Sequence, residues 1–132
     1  MERRAALSLQ SRQCLDGVEE RFSQHREGIL SETAAGVLLR YREEGGEASL
    51  AFAGETVELR RPGTRLTFRA GETSRGQYAT PHGTLALSVR TDYLRHNMTI
   101  DGGKALLRYE LLDGGGSLGR FALTVQITSR EG

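Results

Sequence analysis

Thr80-Pro81-His82-Gly83-Thr84-Leu85-Ala86-Leu87-Ser88-Val89-Arg90-Thr91 is the stretch that decides the fold class. Its proline and glycine mark a turn. Beyond the turn, Leu85, Leu87 and Val89 fall on one face and Thr84, Ala86, Ser88 and Arg90 on the other. That period of two is the signature of a β-strand with one face buried. Working outward, Phe121, Leu123, Val125 and Ile127 alternate with smaller or polar residues, and Val37, Leu39 and Tyr41 alternate with Leu38, Arg40 and Arg42. Shorter runs at Ser49 to Phe52, Thr56 to Arg60, Arg65 to Arg69 and Gln77 to Thr80 are separated by Gly54 and by Pro62-Gly63. Tyr93 to Ile100 reads as a further strand, followed by a glycine-rich turn at Asp101 to Lys104, a strand from Leu106 to Leu112, and a second such turn from Asp113 to Gly116.

The N-terminal third is less uniform. Ala6 to Ser11 alternates and reads as a strand. Leu15, Val18, Phe22 and Ile29 stand at helical offsets after Asp16, a residue that could cap a helix, yet Glu20 to His25 is equally suited to an exposed strand after a turn at Asp16-Gly17. Taken together, about eight to ten short strands punctuated by Gly, Pro and Asp, with no sustained helical pattern, predict an antiparallel barrel or sandwich. Closure into a barrel removes edge strands that would otherwise invite aggregation, and it is favoured on that ground.

Composition narrows the function classes. At 132 residues the chain has the length of one domain with a single core. Its 18 basic and 17 acidic residues are mixed along the chain, so there is no net field to draw it to nucleic acid or to an anionic membrane. All basic residues except Lys104 are arginine, a bias that fits a GC-rich genome and weakens any argument from arginine number. The first residues lack a sustained apolar run of the kind a signal peptide needs, and no stretch is long and apolar enough for a membrane helix. With the lone Cys14, these features suit a cytoplasmic location.

No motif carries a reaction. Gly114-x-Gly116-x-x-Gly119 fits a dinucleotide fingerprint as a string, but that chemistry needs the glycines to open a helix, and here Phe121 begins a strand; no cofactor is implied. His25, His82 and His96 have no metal-site spacing. His82 stands out because it sits in the turn feeding the central strand, although a turn-forming role explains it as well. Glu58 with Glu110, and Asp92 with Asp101, are carboxylate pairs that nothing in the spacing selects. Cys14 has no neighbouring base or cationic cluster. Asn97-Met98-Thr99 matches a glycosylation acceptor, which has no consequence without secretion. Arg40, Arg42, Arg60, Arg65, Arg69, Arg90 and Arg108 could line a cationic stripe, but no aromatic is expected on their faces to stack a base, and the interleaved glutamates point to cross-strand ion pairs. The chain is therefore expected not to be an enzyme.

One resemblance covers most of the chain. Thr80-Pro81-His82-Gly83 with its strand to Thr91, Asp101-Gly102-Gly103, Leu107-Arg108-Tyr109-Glu110-Leu111 and the closing alternation resemble the bacterial family called domain of unknown function 1934. Ser8-x-Gln10, Glu27-Gly28 and Tyr41-Arg42-Glu43 match more loosely, and Tyr41 to Leu59 keeps alternation with few family residues, so register there is left open. The resemblance implies a single calycin-like, that is lipocalin-like, β-barrel over residues 1–132, and it turns Val18 to Leu30 towards strand. It brings no known reaction or ligand.

In such a barrel Leu39, Tyr41, Leu59, Phe68, Leu85, Leu87, Val89, Tyr109, Leu111, Phe121, Leu123 and Val125 would face inward. Two readings stay open. A hollow interior would hold a small apolar or amphipathic ligand, with Tyr41, Tyr78, His82, Arg90 and Tyr109 as candidate polar contacts. A packed interior would suit an interaction module, for instance a homodimer, working through an outer patch or a strand edge.

Overall fold

The structure, a computed structural model, describes residues 1–114 and 116–130. Ten antiparallel strands follow one another around a closed barrel in simple up-and-down order: β1 (Glu2–Leu15), β2 (Val18–Glu32), β3 (Val37–Glu43), β4 (Gly46–Ala53), β5 (Thr56–Arg61), β6 (Thr64–Arg69), β7 (Thr73–Thr80), β8 (Gly83–His96), β9 (Gly102–Asp113) and β10 (Gly116–Ser129). The barrel closes where β1 pairs with β10. The described residues include no helix long and apolar enough to cross a membrane. The strand reading of Val18 to Leu30 holds. Asp16 and Gly17 both have positive φ, 51° and 78°, the geometry of a two-residue hairpin turn whose twist matches that of the strands it joins. β1 and β2 then pair without interruption from Leu15↔Val18 to Glu2↔Ser31.

Two expectations need correction. Tyr93 to Ile100 is not a separate strand, because β8 runs unbroken from Gly83 to His96. A bulge between Thr91 and Tyr93 inserts one residue and shifts the inward set from Leu85, Leu87, Val89 and Thr91 to Leu94 and His96. The broken alternation reads as a strand end although the backbone pairing continues. Leu85 is at the inward parity but sits near the barrel lip and is 38% exposed, while the other eleven expected interior residues are buried or partly buried in the core.

The two ends of the barrel differ. At the end holding the β2–β3, β4–β5 and β8–β9 turns, here the lower end, Leu7, Leu30, Phe52, Val57, Leu107 and Ile127 fill the interior. His96 completes this plug. Its ring packs on Phe52 at 5.4 Å, Nδ1 accepts from the Met98 N–H at 3.1 Å, and Nε2 donates to the Gly54 carbonyl, so the end of β8 is tied to the β4–β5 turn. At the upper end strand lengths diverge. β1, β2 and β8 to β10 have 12 to 15 residues, whereas β3 to β7 have 6 to 8. β2 meets β3 only from Glu32↔Val37 to Gly28↔Tyr41, and above Gly28 it runs on with β1 alone.

Replacing His96 by Ala removes a ring contact and two hydrogen bonds at a partly buried site, and should lower unfolding stability by about 2 kcal/mol. Urea unfolding monitored by circular dichroism measures this. An unchanged midpoint would show that the lower plug does not depend on this side chain.

Candidate functional site

The unequal strand lengths leave the upper interior unfilled. A cavity of about 600 Å³ opens there, walled by Leu9, Leu59, Leu66, Leu111, Phe121 and Leu123 and edged by polar groups from β2, β3 and β5. Other hollows, such as one of about 380 Å³ over Ser8, His25 and Gln126, are grooves on the outer face.

Two strand ends and the middle of β2 build the polar edge. Continuing the inward parity of Val37, Leu39 and Tyr41 places Glu43 on the interior side, and Val57 and Leu59 do the same for Arg61. Arg61 Nε and Nη2 donate to the two oxygens of Glu43 at 2.8 and 3.0 Å, and Gln24 Nε2 on β2 donates to Glu43 Oε2 at 3.0 Å. The Glu43 side chain is 8% exposed and that of Arg61 46%. Side chains thus bridge the gap where β2 and β3 no longer share backbone hydrogen bonds. A buried carboxylate is tolerated here because both of its oxygens are matched.

Tyrosines line the floor. Tyr109 lies between Phe68, at 4.6 Å, and Phe121, whose ring stacks on it at 5.1 Å. Burial, with Tyr78 nearby, raises the Tyr109 hydroxyl well above the usual phenol range. Burial and then the Glu43 charge push Tyr41 up to about 12. Both phenols therefore stay protonated at neutral pH and can donate to a guest.

Of the five candidate contacts, Tyr41, Tyr78 and Tyr109 come together on this cavity. The structure does not bring the other two there. His82 lies in the exposed β7–β8 turn, with its N–H bonded to Thr80 Oγ1. Arg90 has the outward parity of β8 and pairs with Glu110 and Asp92 on the outer face. Glu43, Arg61 and Gln24 were not selected from the sequence. The signal that marks the two charged groups is a charge at the inward parity of a strand end, and the same signal sets Arg90 outside.

On the outer face Glu110 of β9 lies between Arg90 of β8 and Arg120 of β10, the cross-strand pairing expected of it, whereas Glu58 pairs with Arg60 of its own strand; Arg40 meets Glu2, and Arg69 meets Glu72 in the turn that follows it. One detail is corrected: an aromatic does share these faces, for Tyr93 is turned outward by the β8 bulge and carries Arg108 over its ring at 5.6 Å. The glycine string at 114–119 leads into β10 and opens no helix, and its Gly115 lies outside the described residues. Among the described residues no three His, Cys, Asp or Glu side chains cluster as a metal site.

The Domain of unknown function (DUF1934) profile matches residues 7–125. The chain belongs to that family. Its structure is similar to the crystal structure of the ywiB protein from Bacillus subtilis, with a TM-score of 0.83 at 18% identity, covering 97% of this chain and 92% of that one. At that identity the likeness establishes the fold alone, a closed antiparallel β-barrel. Comparison with curated proteins finds no match.

Glu110 supplies a pH test of the outer network. A hydrogen bond from Ser117, then the charges of Arg90 and Arg120, lower its carboxyl pKa against an opposing effect of burial. A lowered folded pKa gives stability that is present above the unfolded carboxylate value of about 4 and is lost as pH falls through the folded one. Glu110→Gln should therefore be less stable than the parent at neutral pH, with the gap narrowing in acid. Thermal unfolding from pH 7 down to pH 3 checks this, and a gap independent of pH would contradict it.

Proposed function

We propose that this chain is a non-catalytic binding protein that takes a small amphipathic molecule into the upper mouth of its barrel. The observation that carries the reading is the unfilled upper interior. Its volume of about 600 Å³ falls inside the range of roughly 300–1,000 Å³ that small-molecule pockets occupy. An apolar wall faces a short polar edge, the division that suits a ligand with an apolar body and a polar end. Fold alone would not support this, since barrels of this kind serve many purposes.

A second reading has its own observation. Above Gly28, β2 has no strand on its outer side, and the hairpin tip exposes Val18 at 62% and Phe22 at 56%. An edge of this type can receive another strand, which supports an interaction module.

Native mass spectrometry of the purified protein, repeated after denaturation, separates the two. The binding reading expects an adduct of small-molecule size that denaturation releases. It also expects Ser11→Trp, which projects a large ring into the mouth from the inward side of β1, to lose the adduct while remaining folded. A dimer with no adduct would favour the interaction module instead.

A further inference from the structure

We propose that two copies of this chain pair antiparallel along the open upper edge of β2, with Phe22 of each copy opposite Phe22 of the other. The pairing rests on the edge noted in the second reading above and names its partner; it is independent of the ligand.

Two bonds at the lower end of β2 fix which way each of its backbone groups points. The Glu32 N–H donates to the Met1 carbonyl, on the β1 side, at 3.1 Å, and the Thr33 N–H to the Gly36 carbonyl, on the β3 side, at 2.9 Å. β1 and β2 pair with no register shift, so the alternation carries up the strand. Even-numbered residues spend their N–H and C=O on β1, and odd-numbered residues turn theirs to the other side. Above Gly28 no residue of β3 receives them. Glu19, Arg21, Ser23 and His25 therefore present a run of backbone donors and acceptors to the open side, of which the His25 carbonyl already accepts from Arg26 Nη1 at 3.1 Å. Edges left open in folded proteins are blunted by proline, bulges, shortness or charge. Residues 18–27 hold no proline and no bulge, and their charges are of both signs. Phe22, an exposed aromatic, stands in the middle of this edge.

A second copy fits this edge in one register. Odd-numbered residues must face odd-numbered ones for the new ladder to form, and under two-fold symmetry one residue is then opposite itself. A centre at Ser23 or later brings Val18 of the partner to the level of Gly28 or below, where Tyr41 is already paired. A centre at Arg21, Glu20 or Glu19 sets that residue against its own like charge. A centre at Phe22 avoids both. Val18 of the partner then stops at the level of Arg26, where β3 has left β2, since their pairing ends at Tyr41 although β3 runs on to Glu43. Glu19 faces His25, Glu20 faces the Gln24 amide and Arg21 faces Ser23, each twice by symmetry, and no like charges meet. Phe22 is even-numbered, so the two rings form a pair without hydrogen bonds between them, the position at which facing side chains come closest and aromatic pairs are favourable. Phe22 also lines the upper cavity, so this pair forms at the rim of the mouth. A strand that complements itself in this way favours a second copy over an unrelated chain.

Sedimentation equilibrium of the full chain over a series of concentrations should show a reversible dimer. Ser23→Pro removes one outward N–H and leaves the β1 ladder whole, since proline is tolerated where a strand turns its N–H to solvent; it should yield a monomer with an unchanged circular dichroism spectrum. Phe22→Arg sets two guanidinium groups face to face and should also yield a monomer, without touching the backbone if proline unfolds the hairpin. Single cysteines in a Cys14→Ser background, Cys14 being exposed, read the register. Arg21 and Ser23 of opposite copies would lie about 5.5 Å apart between Cα atoms, within disulfide reach, and each about 7–8 Å from its own counterpart. A mixture of the Arg21→Cys and Ser23→Cys proteins should therefore cross-link on mild oxidation several-fold more than either alone. A chain that is monomeric at every concentration would overturn pairing with a second copy, while leaving the edge open to a strand of another protein and the ligand reading untouched. A dimer that both variants leave intact would overturn β2 as its interface, and with it the interaction reading drawn from that edge. Cross-linking of either cysteine protein alone as strong as that of the mixture would overturn the Phe22-centred register.

Discussion

Backbone pairing between β2 and β3 stops at Gly28 and Tyr41, and most of what distinguishes this barrel follows from that point. A glycine is required at the junction. A Cβ on Gly28 would lie 2.4 Å from the carbonyl oxygen of Arg40, so the strands approach there more closely than any side chain allows. Below the junction the ladder is continuous and the interior is filled. Above it, β2 stays with β1 and the shorter strands β3 to β6 end, so the sheet cannot supply enough inward side chains to fill the space it encloses. A cavity there is a geometric consequence of unequal strands, and it needs no poorly packed core elsewhere.

The same gap explains the buried ion pair. Where two strands part without a ladder, the wall has to be held by side chains, and Glu43 and Arg61 do so from the ends of β3 and β5 with Gln24 from the middle of β2. A charged pair at such a place contributes little net stability over apolar packing, because desolvation offsets much of its attraction. Its value is direction. It fixes the orientation of a half-exposed guanidinium that lines the cavity with Tyr41, Tyr78 and Tyr109. The lower end shows the contrasting solution, where His96 satisfies two backbone groups and packs on Phe52. One end of the barrel is sealed, and the other is braced open.

Much of the fold was legible in the residues. Alternation at Val37 to Tyr41, Leu85 to Val89 and Phe121 to Ile127 identified strands and their inward faces, and the Asp16-Gly17 pair identified the first hairpin turn. Alternation failed at Thr91 to Tyr93, where a bulge moved the inward set by one residue while pairing with β9 continued. A pattern read along one strand cannot see the partner that keeps a bulged strand in the sheet. For the site, the three tyrosines were legible as apolar bodies with polar tips. Arg90 and His82 belong to the clearest strand and to the turn that feeds it, yet parity puts Arg90 outside and the turn keeps His82 on the surface.

The sequence by itself determined the β character of the chain, the inward parity of most strands and, through turn residues such as Pro81 and Gly83, the positions at which the chain reverses. These depend on local geometry, which neighbouring residues set among themselves. Only the tertiary structure decided how far each strand pairs with the next, and hence whether the interior is full. It also brought Glu43 and Arg61, 18 residues apart, to one edge of the cavity with Gln24 from a third strand. Such convergence depends on strand register and on where ladders end around a closed ring, quantities set by all ten strands together and written in no single one.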